Sequence, residues 1–289
     1  MNFLSREATV ARPGFNRWLV PPAAISVHMC IGEVYGFSVF NVPLTLGGAG
    51  WTIPQVGWVY SIALAMLGLS AALFGKWVER SGPRKAMVAS CVCFCGGLII
   101  SAIGVKLKSL YVLYLGYGVI GGIGLGLGYI SPVSTLMKWF PDRPGMATGM
   151  AIMGFGGGAL IGAPLGVKLM DHFKSETSVG VAEAFLVMAL LYAISMLFGA
   201  SLVRVPPPDW KPEGWEPSQH VKPMITNAHV GVDVAWKTPQ FWLLWVVLCM
   251  NVSAGIGILG QASKMCSDMF GVSAAVGGGF AGLLSIFNM

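Results

Sequence analysis

The sequence predicts an all-α integral membrane protein, and three observations carry that expectation. Hydrophobic residues make up 55% of the chain and charged residues 10%, against about 45–50% and about 25% in soluble domains. Apolar stretches of about twenty residues, the length that crosses a bilayer as helix, recur along the chain. Glycine also returns every fourth residue in two neighbouring stretches, at Gly118, Gly122 and Gly126 and at Gly154, Gly158, Gly162 and Gly166. In water each of these glycines would cost a helix up to about 1 kcal/mol relative to alanine. In hydrocarbon an unpaired backbone group costs several kcal/mol, so such a segment stays helical and its glycines admit a close neighbour. The expectation is a tightly packed transmembrane hairpin, its two helices joined by the polar run Lys138 to Gly145.

In chain order, residues 1–18 form a polar tail carrying Arg6, Arg12 and Arg17. It lacks the cleavage site of a signal peptide and reads as a retained cytoplasmic tail. Apolar spans follow at about 19–44, 56–78, 86–105, 111–136, 145–169, 184–203 and 240–262, and another opens near Ser273 and runs to Met289. With the amino terminus inside, the loops alternate sides. The inner side takes Arg6, Arg12, Arg17, Lys76, Arg80, Arg84, Lys85, Lys138, Arg143, Arg204, Lys211, Lys222 and Lys237, 13 of the 18 basic residues; the outer side takes Lys106, Lys108, Lys168, Lys174 and Lys264. That asymmetry supports the orientation and the span count together, and implies a multi-pass protein of the cell (inner) membrane. Trp18, Trp51, Trp58, Trp139, Phe241 and Trp242, near the ends of spans, suit interfacial belts.

The connection from Arg204 to Gln240 is rich in proline and polar residues and reads as a linker between two bundles. The expected domains are therefore the tail 1–18, a six-helix bundle 19–203, a cytoplasmic linker 204–239, and the incomplete start of a second bundle at 240–289. Six helices followed by a long inner loop is half of a pseudo-symmetric carrier, so the chain reads as a fragment ending within a helix.

Several functions are disfavoured. A net charge of +6 in so apolar a chain sets membrane orientation rather than nucleic-acid binding. Of the six cysteines, Cys91, Cys93 and Cys95 have suggestive spacing but no histidine or carboxylate beside them, so no metal site is expected. The histidines His28, His172, His220 and His229 are scattered and no intramembrane carboxylate pair exists, so neither enzymatic chemistry nor a cofactor is expected. A seven-helix receptor or sensor remains the alternative to a carrier.

Two residues stand out inside the first span. Glu33 is the one acid well within a span, and an intramembrane carboxylate is a functional candidate by default. His28 shares a helix face with Tyr35, whereas Glu33 and Tyr35, two residues apart, point in nearly opposite directions unless Gly32 and Gly36 distort the helix. For Glu33 and His28 two readings stay open: a site that carries a proton or faces the substrate, and a polar contact between helices.

The turn after the second span places Gly75, Glu79, Arg80, Gly82, Arg84 and Lys85 in the slots of a loop signature. It resembles that of the major facilitator superfamily, with Glu79 in place of the usual aspartate and Pro83 where a base is common. The resemblance implies a major facilitator-type fold, with Glu79 and Arg80 in a charged clasp between two halves; a tight inner turn anchored by charge is the plainer reading. Three stretches narrow it: Gly32 to Phe40 followed by Pro43 and Leu44, the hairpin run Lys138 to Gly145 with its flanking glycines, Tyr129 and Pro164, and the Pro and Trp pattern of the linker. Together these are similar to the oxalate/formate antiporter family. That resemblance implies a secondary transporter of small organic anions, mono- or dicarboxylates, with Tyr35 and Tyr129 lining the substrate cavity and basic binding residues in a second half. The expected partners are a small anionic molecule, the lipid bilayer and, through Glu33 or His28, protons.

Overall fold

A computed structural model describes residues 3–47, 50–216 and 230–287. Among them all extended regular structure is helical, apart from one bridge between Val10 and Val205. The spans are α1 (Arg17–Gly36 and, after a 51° bend, Ser38–Leu46), α2 (Ile53–Ser81), α3 (Pro83–Lys106), α4 (Leu110–Trp139), α5 (Pro144–Phe173), α6 (Val181–Leu202) and α7 (Pro239–Leu259). The short helices α8 (Ala262–Phe270) and α9 (Ala274–Phe287) follow. Linker residues 217–229, with Lys222, His220 and His229, lie outside the described residues.

Helix breaks fall where the sequence weakens the helix. α1 tightens to 3-10 pitch over Gly32–Gly36 before it bends, and Pro43 lies in its second piece; glycine and proline are the usual causes of such a bend. α4 widens to π pitch over Tyr114–Gly121. α5 is interrupted between Gly156 and Gly158 and carries Pro164 beyond. α2 opens on a capping box in which Thr52 and Gln55 bond reciprocally and ends at Gly82, whose φ of +86° turns the chain directly into α3. Only glycine adopts that angle without strain.

The glycine ridges pack as close-approach surfaces, but not against each other. A Cβ added at Gly118 would meet the Ile62 side chain at 2.8 Å, and one at Gly122 the Met66 Cβ at 2.6 Å; at Gly126 it would strike Ser70. The first ridge thus faces α2. On the second ridge, an added Cβ at Gly154 would meet His28 Cβ at 2.8 Å, at Gly162 Glu33 Cγ at 2.6 Å and at Gly166 the Phe40 ring at 2.7 Å, while at Gly158 it would fall into the backbone of Gly32 and Glu33. The second ridge thus faces α1. The expected α4–α5 hairpin is present, with its two ridges turned to different partners. α4 has a further glycine face: Gly116, Gly124 and Gly128 meet Ser101, Phe94 and Ser90 of α3.

α1 is enclosed by α4, α5 and α6, with Gly199 of α6 against Ala23 and Ser26. α9 lies on α5, where Gly278 meets Val167, and the Asn41 amide of α1 donates to the Gly260 carbonyl (3.0 Å) at the end of α7. α7 is otherwise exposed over nearly its whole length.

The tail is folded, not loose. Ala11 N–H donates to Val205 O and Val205 N–H to Thr9 O, both at 2.9 Å. Trp139, expected in an interfacial belt, is buried instead: its Nε1–H donates to Arg204 O (2.7 Å), and its ring packs on Trp210 and Phe15. An indole with one donor seeks one acceptor, and the linker supplies it. Trp18, Trp58 and Trp242 are exposed as expected.

Gly158→Ala should lower the thermal stability of the purified protein by about 1–3 kcal/mol through overpacking. Gly149→Ala, where nothing lies within 4 Å, should be neutral or raise it by up to about 1 kcal/mol. Unfolding curves of the two variants that shift alike would refute the packed-ridge account.

Candidate functional site

The polar residues of α1 divide into two clusters. In the first, His28 is fully buried, with Nδ1 2.6 Å from Ala151 O of α5 and Nε2 3.1 Å from Tyr129 O of α4. Its ring stacks on Tyr129 with centroids 5.6 Å apart. Phe155, from the last turn before the α5 break, sets its ring near-perpendicular to both tyrosines, 5.1 Å from Tyr35 and 5.0 Å from Tyr129. His28, Tyr129, Phe155 and Tyr35 therefore form one aromatic wall drawn from three helices. Tyr35 and Tyr129 are only partly buried, and their hydroxyls make no hydrogen bond among the described residues.

The second cluster lies elsewhere on α1. Glu33 is fully buried, and its Oε2 accepts a 3.0 Å hydrogen bond from Tyr117 of α4. Glu33 Oε1 and the hydroxyl of Tyr192, from α6, are buried without hydrogen-bond partners in the structure. They crowd the same glycine: a Cβ at Gly162 would meet Glu33 Cγ at 2.6 Å and the Tyr192 hydroxyl at 3.2 Å. A charged carboxylate at mid-membrane costs at least about 2.5 kcal/mol, and no Lys or Arg of the described residues pairs with Glu33. Although α1 tightens over Gly32–Gly36, Glu33 and Tyr35 still meet different neighbours, because residues two apart at 3-10 pitch diverge.

Phe155, Tyr117 and Tyr192 were not singled out in the sequence. The π pitch that holds Tyr117 is invisible to a search for helical periodicity. Phe155, between two glycines, carries a legible signal: it is the bulky residue in Gly154 to Gly158, where the ridge must point a side chain somewhere.

The loop-signature residues serve different purposes. Glu79, Arg80 and Lys85 are exposed, and none makes an ion pair among the described residues. Arg84 is buried: Nη1–H donates to Phe3 O (2.7 Å), Nε–H to Ala200 O (3.1 Å) and Nη2–H to Val203 O (3.4 Å), with the guanidinium 4.3 Å from the Phe3 ring. It pins the tail and the end of α6 to the start of α3. Gly75 and Gly82 line a groove of about 670 Å³ together with Arg6, Glu79, Lys138 and Pro206. In the neighbouring loop, Arg17 grips Asp142 with two parallel bonds, 2.7 and 2.9 Å. The Arg17 hydrogen bonds hold the Asp142 carboxyl below its usual value of 3.8. Among the described residues no group of three or more His, Cys, Asp or Glu is placed to hold a metal ion.

Comparison with known proteins places these features in a wider setting. The sequence profile of the Major Facilitator Superfamily matches residues 24–289. The chain is 27% identical over 277 residues to the uncharacterized MFS-type transporter YhjX of Escherichia coli (strain K12), covering 94% of this chain and 63% of that protein. It is 25% identical over 263 residues to the oxalate:formate antiporter of Oxalobacter formigenes, covering 90% and 58%. It is 27% identical over 252 residues to apicoplast pyruvate carrier 1 of Toxoplasma gondii, covering 71% and 45%. The chain thus spans about three-fifths or less of the length of these relatives. Its fold matches the crystal structure of a bacterial homolog to the human lysosomal transporter Spinster, in an inward-facing and unoccupied conformation. There the TM-score is 0.65 at 15% identity, over 96% of this chain and 61% of that one.

Tyr117→Phe leaves the buried Glu33 carboxyl without its donor and should cost about 1–3 kcal/mol of stability. Glu33→Gln, whose amide can donate to Tyr192, should cost less; the reverse order in detergent unfolding would refute the pairing. Asp142→Asn should cost about 1 kcal/mol at neutral pH, solvent screening keeping the effect small. Because the folded value is depressed, that stabilisation is present above pH 3.8 and is lost as pH falls through the lower folded value. Wild type and variant should therefore converge in strong acid, and a gap that persists there would count against the ion pair.

Proposed function

Because the chain belongs to the major facilitator superfamily, we propose that it is a secondary transporter of small organic anions, mono- or dicarboxylates, working by alternating access. One observation carries the substrate class: Tyr35 and Tyr129 are half-buried, their hydroxyls make no hydrogen bond among the described residues, and both rings pack on Phe155. A small carboxylate needs a flat apolar surface for its carbon skeleton and a few donors for its oxygens, and two tyrosines offer both. The printed names of the oxalate:formate antiporter and the apicoplast pyruvate carrier support a carboxylate over other small molecules, and the first of them supports exchange.

In this reading residues 19–203 form one bundle and 204–239 a linker, with the start of a second bundle at 240–289. The amino terminus lies on the cytoplasmic side of the cell (inner) membrane, the side taking 13 of the 18 basic residues. The Asn41–Gly260 hydrogen bond supports a junction between the two parts near the bend in α1. Glu79 and Arg80, free of ion pairs among the described residues, are available to a charged clasp that closes the cytoplasmic side.

Uptake of labelled oxalate, formate and pyruvate into proteoliposomes carrying the protein tests this. Tyr35→Phe and Tyr129→Phe should each raise KM about tenfold, the worth of one hydrogen bond to a charged group, while leaving unfolding temperature unchanged. Uptake of none of the three, or full uptake by both variants, would remove the proposal.

A further inference from the structure

A neutral ring can donate to only one of the two carbonyl oxygens that His28 faces. Nδ1 faces the Ala151 carbonyl at 2.6 Å and Nε2 the Tyr129 carbonyl at 3.1 Å. A carbonyl oxygen only accepts. A neutral imidazole has one N–H, so whichever tautomer it adopts, the lone pair of its other nitrogen would point at the lone pairs of a buried oxygen. With both nitrogens protonated, each donates. The ring further lies against the Tyr129 face, where a cation is favoured by the aromatic quadrupole.

Burial in apolar surroundings works against any charge. Here that cost is opposed by two charge-assisted hydrogen bonds and by the carbonyl oxygens of two helices. Of titratable groups, α4 brings Tyr129 and α1 itself carries Tyr35 and Glu33, whereas the α5 residues against the ring, Ala151, Gly154 and Phe155, do not titrate. Where α6 approaches α1 at this level it offers Ser195, bonded to Ser26 O. Among the described residues no Lys, Arg or Asp side chain contacts the ring.

We propose that His28 is a proton-binding site: as an imidazolium it donates Nδ1–H to Ala151 and Nε2–H to Tyr129, and its charge, behind the Tyr129–Phe155–Tyr35 wall, holds a carboxylate there. The first half rests on the hydrogen-bond geometry alone; the second rests on the carboxylate reading above. One proton on the ring and one monoanion on the wall sum to zero charge, so the pair enters the membrane interior without an uncompensated ion. The proton also ties α1 to α4 and α5 at once, and its loss releases one of the two carbonyls.

The test is nitrogen NMR of the purified protein labelled at histidine, with His28→Gln serving in the NMR experiment to assign the signal. Two protonated ring nitrogens at neutral and mildly acidic pH, one of them losing its proton as pH rises, are expected. A ring with one bare nitrogen at every pH where the protein stays folded overturns the proton site. Pyruvate titrations of the same sample, followed by isothermal calorimetry in buffers of different ionisation enthalpy, read the second half. Affinity should fall about tenfold as the ring deprotonates and in His28→Gln, the expected loss of one nearby charge. Pyruvate binding indifferent to pH and to His28→Gln overturns the coupling. An imidazolium with no pyruvate binding at all overturns the carboxylate reading and leaves the proton site standing.

Discussion

The structure depends on one contact, the crossing of α1 over α5 where Gly32 and Gly158 bring the two backbones together. Neither position has room for a single methyl group: at Gly32 it would enter the Phe155 backbone, and at Gly158 the backbone of Gly32 and Glu33. Lipid tails are as apolar as leucine, so helices in a bilayer gain little from hiding hydrophobic side chains from one another and associate through close packing instead. From this crossing the other contacts follow at one-turn intervals, His28 with Gly154, Glu33 with Gly162 and Phe40 with Gly166. The polar side chains that α1 brings to the candidate site, His28 and Glu33, are placed by their contacts with this α5 face.

The crossing also accounts for two clusters instead of one. With α1 pressed onto α5, His28 and Tyr35 reach the side shared by α4 and the α5 break, and Glu33 turns to Tyr117 and Tyr192. The 3-10 stretch at Gly32–Gly36 allows the bend but does not merge the two. The two clusters can therefore answer to different helix movements while sharing one helix, the first through α4 and the α5 break and the second through α4 and α6.

Much of the fold was legible in the sequence, because hydropathy over about twenty residues is a strong signal and α2 to α7 follow it closely. Pairing was not. Gly118, Gly122 and Gly126 announce a smooth face without naming what covers it, and the covering helix is α2 rather than α5. The same stretch holds Gly116, Gly124 and Gly128 for α3, and two interleaved periods of four look like a single glycine-rich run. Of the candidate site, His28 and Glu33 were legible as polar residues in an apolar span, and Tyr35 and Tyr129 through the family resemblance; His28 and the two tyrosines share one aromatic cluster, and Glu33 lies apart from it. Tyr117 escaped because an aromatic in a membrane helix is ordinary, and Phe155, though its flanking glycines mark it, has partners that only the fold reveals. Trp139 misled for a related reason: the tail and linker that bury it are remote in sequence, so it reads as an interfacial residue.

The closure of the tail on the linker has a consequence for how the protein is made. Residues near 10 emerge from the ribosome first, yet their backbone partner is Val205, the residue that follows the sixth span. Arg17 likewise waits for Asp142, and Phe3 for Arg84. The strand-like bridge to Val205 therefore cannot close until the sixth span has been made, whereas the contacts of Phe3 and Arg17 need only α3 and the turn between α4 and α5, so the tail is fastened in steps that follow the order of the chain.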